Sequence, residues 1–140
     1  MQKIFIVFIL VSGLVACGSP KAKKAEQKTA ELTPQVDHPG KIIYKRHCLS
    51  CHQSNAGGIP KMYPPLSDNK VISGDKEPLI DIILNGMSGE IEVNGETYNG
   101  VMASYQNLTD KDIADVLNYL RSGFGNSGDN ITAGDVKAQR

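Results

Sequence analysis

The sequence predicts a small, mainly α fold, with three or more helices and one short β-hairpin arranged around a covalently held group. Three observations predict it. Apolar residues recur at helical spacing in separate stretches, most clearly Ile113, Val116, Leu117 and Leu120. Asn94-Gly95 lies between two short alternating runs, the strongest local hairpin signal. The segment Cys48-Leu49-Ser50-Cys51-His52 sets two thiols two residues apart, with an imidazole beside the second.

That five-residue segment reads as an attachment site for one haem c. Two thiols at this spacing can add across the two vinyl groups of a haem, and the adjacent histidine is placed to ligate the iron. Three other readings of the cysteines carry less. A zinc site would use Cys48, Cys51 and His52 with His47 or His38, but structural zinc sites pair two separated ligand clusters, and no Cys or His follows His52. A thioredoxin-like redox pair needs a strand before the motif, whereas Gly40 to His47 reads as helical. A disulfide between Cys48 and Cys51 would close a very short, strained loop.

The chain opens Met1-Gln2-Lys3 and continues with an apolar run from Ile4 to Leu10 that extends to Ala16. One positive charge, a short apolar core and small residues before a break describe a signal peptide over residues 1–16. The run is too short to cross a bilayer comfortably. Leu14-Val15-Ala16-Cys17 resembles the lipobox of bacterial lipoproteins, which implies that Cys17 is acylated and becomes the mature N-terminus. Ordinary cleavage near Ala16, leaving a free Cys17, is the alternative. A diacylglycerol with an amide-linked acyl chain would anchor firmly, since one chain alone binds only marginally.

Residues 17–38 read as the lipidated cysteine and a flexible tether, because they are rich in Lys, Ala, Glu, Gln and Pro and poor in large apolar side chains. As a coil this tether would span roughly 25 Å. Lys21, Lys23, Lys24 and Lys28 lie near the lipid and could meet anionic headgroups or simply keep a spacer soluble. The folded domain is expected over 39–125 and a polar C-terminal tail over 126–140. The 140-residue chain has a formal net charge of zero and no basic patch that would mark a nucleic-acid binder. From Asp37 to Gly125, fewer than ninety residues, the chain has eleven acidic and eight basic side chains and no Trp. The core of this domain is marginal. A covalent haem would supply a large rigid apolar disc, so the haem-free chain is expected to be unfolded or molten.

The first helix is expected from Pro39 to His47, with Pro39 suited to the first helical position and Gly40 and Tyr44 on one face. A second should run from Lys76 to Asn85, with Asp75 as N-cap, Gly86 as stop, and Leu79, Ile82 and Ile83 turned inward. The hairpin should pair Val93 with Glu96 and Ile91 with Tyr98, and either border the haem or decorate the surface. A third helix should run from Asp110 to Ser122, started by Thr109 with Asp112 in a capping-box arrangement and ended by Gly123. Thr132 with Asp135 could cap a last short helix through Val136, or the end could fray.

An iron held by His52 needs a partner on its other side, or none. A thioether is the natural one for an electron carrier. The candidates are Met62, Met87 and Met102. Met102 lies in the Gly-flanked segment Asn99-Gly100-Val101-Met102-Ala103, which can reach over a haem face. Met87 is also in a loop, and chemistry alone leaves it open.

The ordered elements Gly40-x-x-x-Tyr44, Cys48-x-x-Cys51-His52, Pro64-Pro65-Leu66, Tyr98-Asn99-Gly100-Val101-Met102 and Leu117-Asn118-Tyr119-Leu120-Arg121 together resemble a class I mono-haem cytochrome c. The likeness is strongest to cytochrome c domains found with alcohol-dehydrogenase-type and terminal-oxidase-type respiratory complexes. The resemblance implies the cytochrome c fold, covalent haem on Cys48 and Cys51, and axial ligation by His52 and Met102. The family often has Pro after this methionine, and here Ala103 stands there. It further implies a close crossing of the first and last helices at Gly40, near Tyr119, where only a residue without Cβ fits. A carbonyl of the Pro64-Pro65 segment should accept a hydrogen bond from His52 Nδ1, with Pro65 favoured over Pro64. Haem attachment of this kind follows export, which suits the signal peptide.

The resemblance implies a single-electron carrier and not an enzyme. It would be exported and held at a membrane by its lipid anchor, facing the periplasm or the outer face of the cell membrane. Its partners would be redox proteins, a dehydrogenase as donor and an oxidase or other acceptor. The rival readings are an electron-accepting subunit of a dehydrogenase complex, a haem sensor or peroxidase-like protein with a labile sixth ligand, and a lipoprotein in which the motif is incidental.

Overall fold

The computed structural model describes residues 37–140. The signal peptide, Cys17 and nearly all of the tether lie outside the described residues. Among the described residues five helices are formed: α1 Pro39–His47, α2 Leu49–His52, α3 Lys76–Asn85, α4 Asp110–Ser122 and α5 Ala133–Lys137. Four short strands lie between α3 and α4: β1 Met87–Ser88, β2 Ile91–Val93, β3 Glu96–Tyr98 and β4 Val101–Met102. No described helix is long and apolar enough to cross a membrane.

The frame is the crossing of α1 over α4. A Cβ placed on Gly40 would lie 2.0 Å from the Asp115 carbonyl oxygen and 2.7 Å from Tyr119 Cβ, so the helix backbones touch there. Tyr44, one turn on, is buried with its ring against Tyr119 and Phe124, at centroid separations of 5.7 and 5.9 Å. His38 caps α1, its Nδ1 accepting from Gly40 N–H at 3.2 Å.

The core lies between α1, α3, α4 and the C-terminal segment, and includes Tyr44, Ile72, Ile80, Ile113, Leu117, Ile131 and Val136. The buried stripe of α3 is Leu79, Ile80, Ile83 and Leu84. Ile82, expected to face inward, is only half-buried. Five apolar residues in the run allow two candidate stripes, and burial in the common core selects Leu79, Ile80, Ile83 and Leu84. Asp75 occupies the N-cap position of α3 in extended conformation, without a side-chain cap bond. At α4 the box is half-made: Thr109 Oγ1 accepts from Asp112 N–H at 3.1 Å and donates to the Asp112 carboxylate at 2.7 Å.

The hairpin forms in the expected register, Ile91 opposite Tyr98 and Val93 opposite Glu96. Asn94 and Gly95 both have positive φ, 53° and 80°, the requirement of a type I′ turn. A second ladder, unexpected from the sequence, pairs β1 with β4, Met87 opposite Met102 and Ser88 opposite Val101. Two-residue strands carry no alternation pattern, so only the reversal imposed by the enclosed hairpin brings them together.

The boundary expected at Gly125 is corrected. Residues beyond it pack as part of the domain. Ile131 and Val136 are fully buried. Asn118 clasps Ile131, accepting from its N–H at 2.9 Å and donating to its carbonyl at 2.8 Å. The buried Arg121 guanidinium donates to the carbonyls of Ile72, Gly74 and Asp129. Thr132 and Asp135 form a complete capping box at α5. Polar composition concealed this, because two well-separated apolar residues suffice once side chains satisfy the intervening backbone.

Candidate functional site

The Cys-x-x-Cys-His segment is itself helical. Cys48 closes α1 by donating its N–H to Tyr44 O at 2.9 Å, and its own carbonyl accepts from Cys51 N–H at 3.2 Å and His52 N–H at 2.9 Å. Cys48, Cys51 and His52 therefore sit at i, i+3 and i+4, on one side of a helical turn. Gln53, with φ of 64°, ends α2 directly after the histidine. Cys48 and Cys51 form no disulfide.

His52 is buried. Its Nδ1 lies 3.0 Å from the carbonyl oxygen of Pro64. A carbonyl can only accept, so Nδ1 holds the proton and Nε2 presents a free lone pair. The expected partner, Pro65, is corrected: its carbonyl instead accepts from Asn69 Nδ2 at 2.8 Å. Ile59 and Tyr63 exchange backbone hydrogen bonds, turning the chain back so that Pro64 O meets the imidazole. The next carbonyl along an extended stretch faces the other way. Burial lowers the imidazole's pKa below its ordinary value, against the opposing pull of the Pro64 bond. The neutral form, the one that binds metal, is thereby favoured. Burial, and next the neighbouring Cys51, push the Cys48 thiol up to about 11, so it stays protonated at neutral pH.

These groups line a cavity with about 730 Å³ of open space, its mouth included. α1 and α2 contribute His47, Cys48, Cys51 and His52; β1 and β4 contribute Met87 and Met102; the hairpin contributes Ile91 and Tyr98. The hairpin thus borders the cavity. Tyr105 also lines it, but its hydroxyl is tied to His47 O at 2.8 Å, which keeps the lining apolar. Met87 and Met102, directly opposite in the ladder, project to the same face. Met62 lies at the mouth and is half exposed.

Two thiols, an imidazole with its Nε2 unprotonated, and an apolar cavity with thioethers in its wall match the chemistry of a haem c. The alternative of a zinc centre finds no support, since among the described residues no three His, Cys, Asp or Glu side chains come together to hold a metal ion.

Comparison with known proteins agrees. The profile of the Cytochrome c family matches residues 38–124. Two proteins named cytochrome c-552, both from Thermus thermophilus, are similar. One is 34% identical over 91% of this chain and 75% of its own length, and the other 42% identical over 63% and 70%. A protein of Gluconacetobacter polyoxogenes named the cytochrome c subunit of a quinone alcohol dehydrogenase is 33% identical over 73% of this chain. The match spans only 22% of that longer protein. The chain belongs to the cytochrome c family, an electron-transfer protein with haem c as its cofactor rather than an enzyme.

Proposed function

We propose that His52 and Met102 are the two axial ligands of the haem, that Cys48 and Cys51 hold it covalently, and that the protein is exported and lipid-anchored at Cys17. The observation that carries this reading is the arrangement of His52. It is buried, its Nδ1 is fixed by Pro64 O, and Met102 lines the same cavity. The bound haem supplies one-electron chemistry, its iron alternating between ferrous and ferric states.

The chain's own residues set the conditions. The Pro64 bond fixes the imidazole plane and raises its strength as a ligand. Met102, presented from β4, closes the other side and leaves no position for a substrate. Ile91, Tyr98 and Tyr105 keep water away. Val101, at 74% exposure, and Met62, at 51%, stand at the cavity mouth, where a redox partner would dock through a small, transient interface. The tether would keep the protein close to membrane partners and raise their encounter rate.

The partners proposed are a dehydrogenase as electron donor and an oxidase or other acceptor. The similarity to a dehydrogenase cytochrome subunit favours a second reading, in which this chain docks permanently on such an enzyme.

The test is a redox-resolved visible spectrum of Met102→Ala beside the unaltered protein. Loss of the long-wavelength ferric band of sulfur–iron bonding is expected. Retention of that band would transfer the assignment to Met87. Mass spectrometry of the natively matured chain checks both haem and lipid; a product lacking added tetrapyrrole would overturn the reading.

A further inference from the structure

We propose that Asn126, acting with Asn69, is a positioning residue for His52: it holds the Pro64–Leu66 segment so that the Pro64 carbonyl stays on the imidazole. The inference rests on His52 being an axial ligand, as proposed above.

Three consecutive carbonyls of this segment are each held by a different side chain. Pro64 O faces His52 Nδ1 at 3.0 Å, Pro65 O accepts from Asn69 Nδ2 at 2.8 Å, and Leu66 O accepts from Asn126 Nδ2 at 2.7 Å. Asn126 joins these contacts. Its Nδ2 also donates to Leu120 O at 3.0 Å, at the end of α4, and its Oδ1 accepts from Asn69 N–H at 2.9 Å. Asn69 is itself buried, its Oδ1 accepting from Val71 N–H. One amide thus ties α4 to both the proline segment and the residue that braces it.

The segment needs that brace. Pro64 and Pro65 have no N–H with which to hold it. Its other backbone ties run from Leu66 and Ser67 N–H to the single carbonyl of Ala56. Without Asn126, Leu66 O loses its donor, and Asn69 loses the acceptor that orients it. The Pro64 carbonyl is then freer to move relative to Nδ1. A weaker bond at Nδ1 makes Nε2 a poorer donor to iron. Poorer donation disfavours the ferric state, so the reduction potential should rise.

Asn118 is a matched control. It also clasps the C-terminal segment to α4, through Ile131, but has no hydrogen bond to residues 64–69. The experiment compares holoprotein carrying Asn126→Ala, Asn126→Asp or Asn118→Ala with the unaltered holoprotein. It reads the reduction potential and the exchange rate of the hyperfine-shifted His52 Nδ1–H by NMR. Asn126→Asp keeps the shape but not the donor, and covers the case in which the alanine variant fails to fold. Asn126→Ala is expected to show a raised potential and faster Nδ1–H exchange, and Asn126→Asp, whose added carboxylate itself favours the ferric state, is expected to show the faster exchange; Asn118→Ala is expected to lower stability with neither signature. Equal shifts in the Asn118 variant, an unmoved exchange rate in either folded Asn126 variant, or an unmoved potential in folded Asn126→Ala would overturn the proposal. Failure of the underlying ligation would look different, since the unaltered protein would then show no hyperfine-shifted His52 resonance.

Discussion

Gly40 of α1 rests on the backbone of α4 at Asp115 so closely that a Cβ would stand 2.0 Å from the Asp115 carbonyl oxygen. No side-chain rotation can relieve such a contact, because both partners are backbone. Alanine in place of glycine would favour a helix interior by about 1 kcal/mol. Separating two packed helices costs more, about 1–3 kcal/mol or above. Gly40→Ala is therefore expected to lower the denaturant midpoint of the holoprotein while leaving its ferric sulfur–iron band in place.

Gly86 supports the other wall. It ends α3 with φ 72° and ψ −171°, a region almost closed to other residues, and a Cβ there would lie 2.4 Å from Met102 O. The backbone strain alone is of order 1–3 kcal/mol. Unlike Gly40→Ala, Gly86→Ala displaces the strand carrying Met102, so it is expected to weaken the sulfur–iron band as well as stability. A band of full intensity would show that Met102 is held independently of α3.

The C-terminal segment contributes to the core through Ile131, which is 1% exposed. Ile131→Ala is expected to cost about 2–5 kcal/mol in urea denaturation. A surface-like cost below about 0.5 kcal/mol would mean that this segment does not dock.

Acid should release α5 first. The Thr132 backbone N–H, then the Thr132 hydroxyl, then Lys76 hold the Asp135 carboxyl at about 2, below its ordinary 3.8. A lowered folded-state value contributes stability above the ordinary value and loses it as pH falls from about 4 through about 2. The Val136 amide is expected to lose exchange protection across that window, and Asp135→Asn to flatten the dependence. Identical acid profiles for both chains would exclude this carboxyl as the origin.

The haem is expected to be needed for folding as well as redox. With Cys48 and Cys51 both replaced by serine and no haem held, the cavity wall loses the surface it packs on. The exported variant should keep far-UV helical signal, lose near-UV signal and bind a hydrophobic dye. A fixed near-UV spectrum in that variant would contradict it.

What the sequence determined by itself was local. Cys48, Cys51 and His52 name their chemistry because covalent spacing is conserved in any fold. The helices at Pro39, Lys76 and Asp110, and the register set by Asn94-Gly95, follow from capping, periodicity and turn sterics within a few residues. Tertiary structure decided what depends on distant partners. It chose Pro64 over Pro65, because the reversal at Ile59–Tyr63 sets which carbonyl faces the imidazole. It paired Met87 with Met102 across fifteen residues, a contact no two-residue strand can announce. It also drew the polar C-terminus into the core, where Asn118, Arg121 and Asn126 hold backbone groups that composition alone would have left to water.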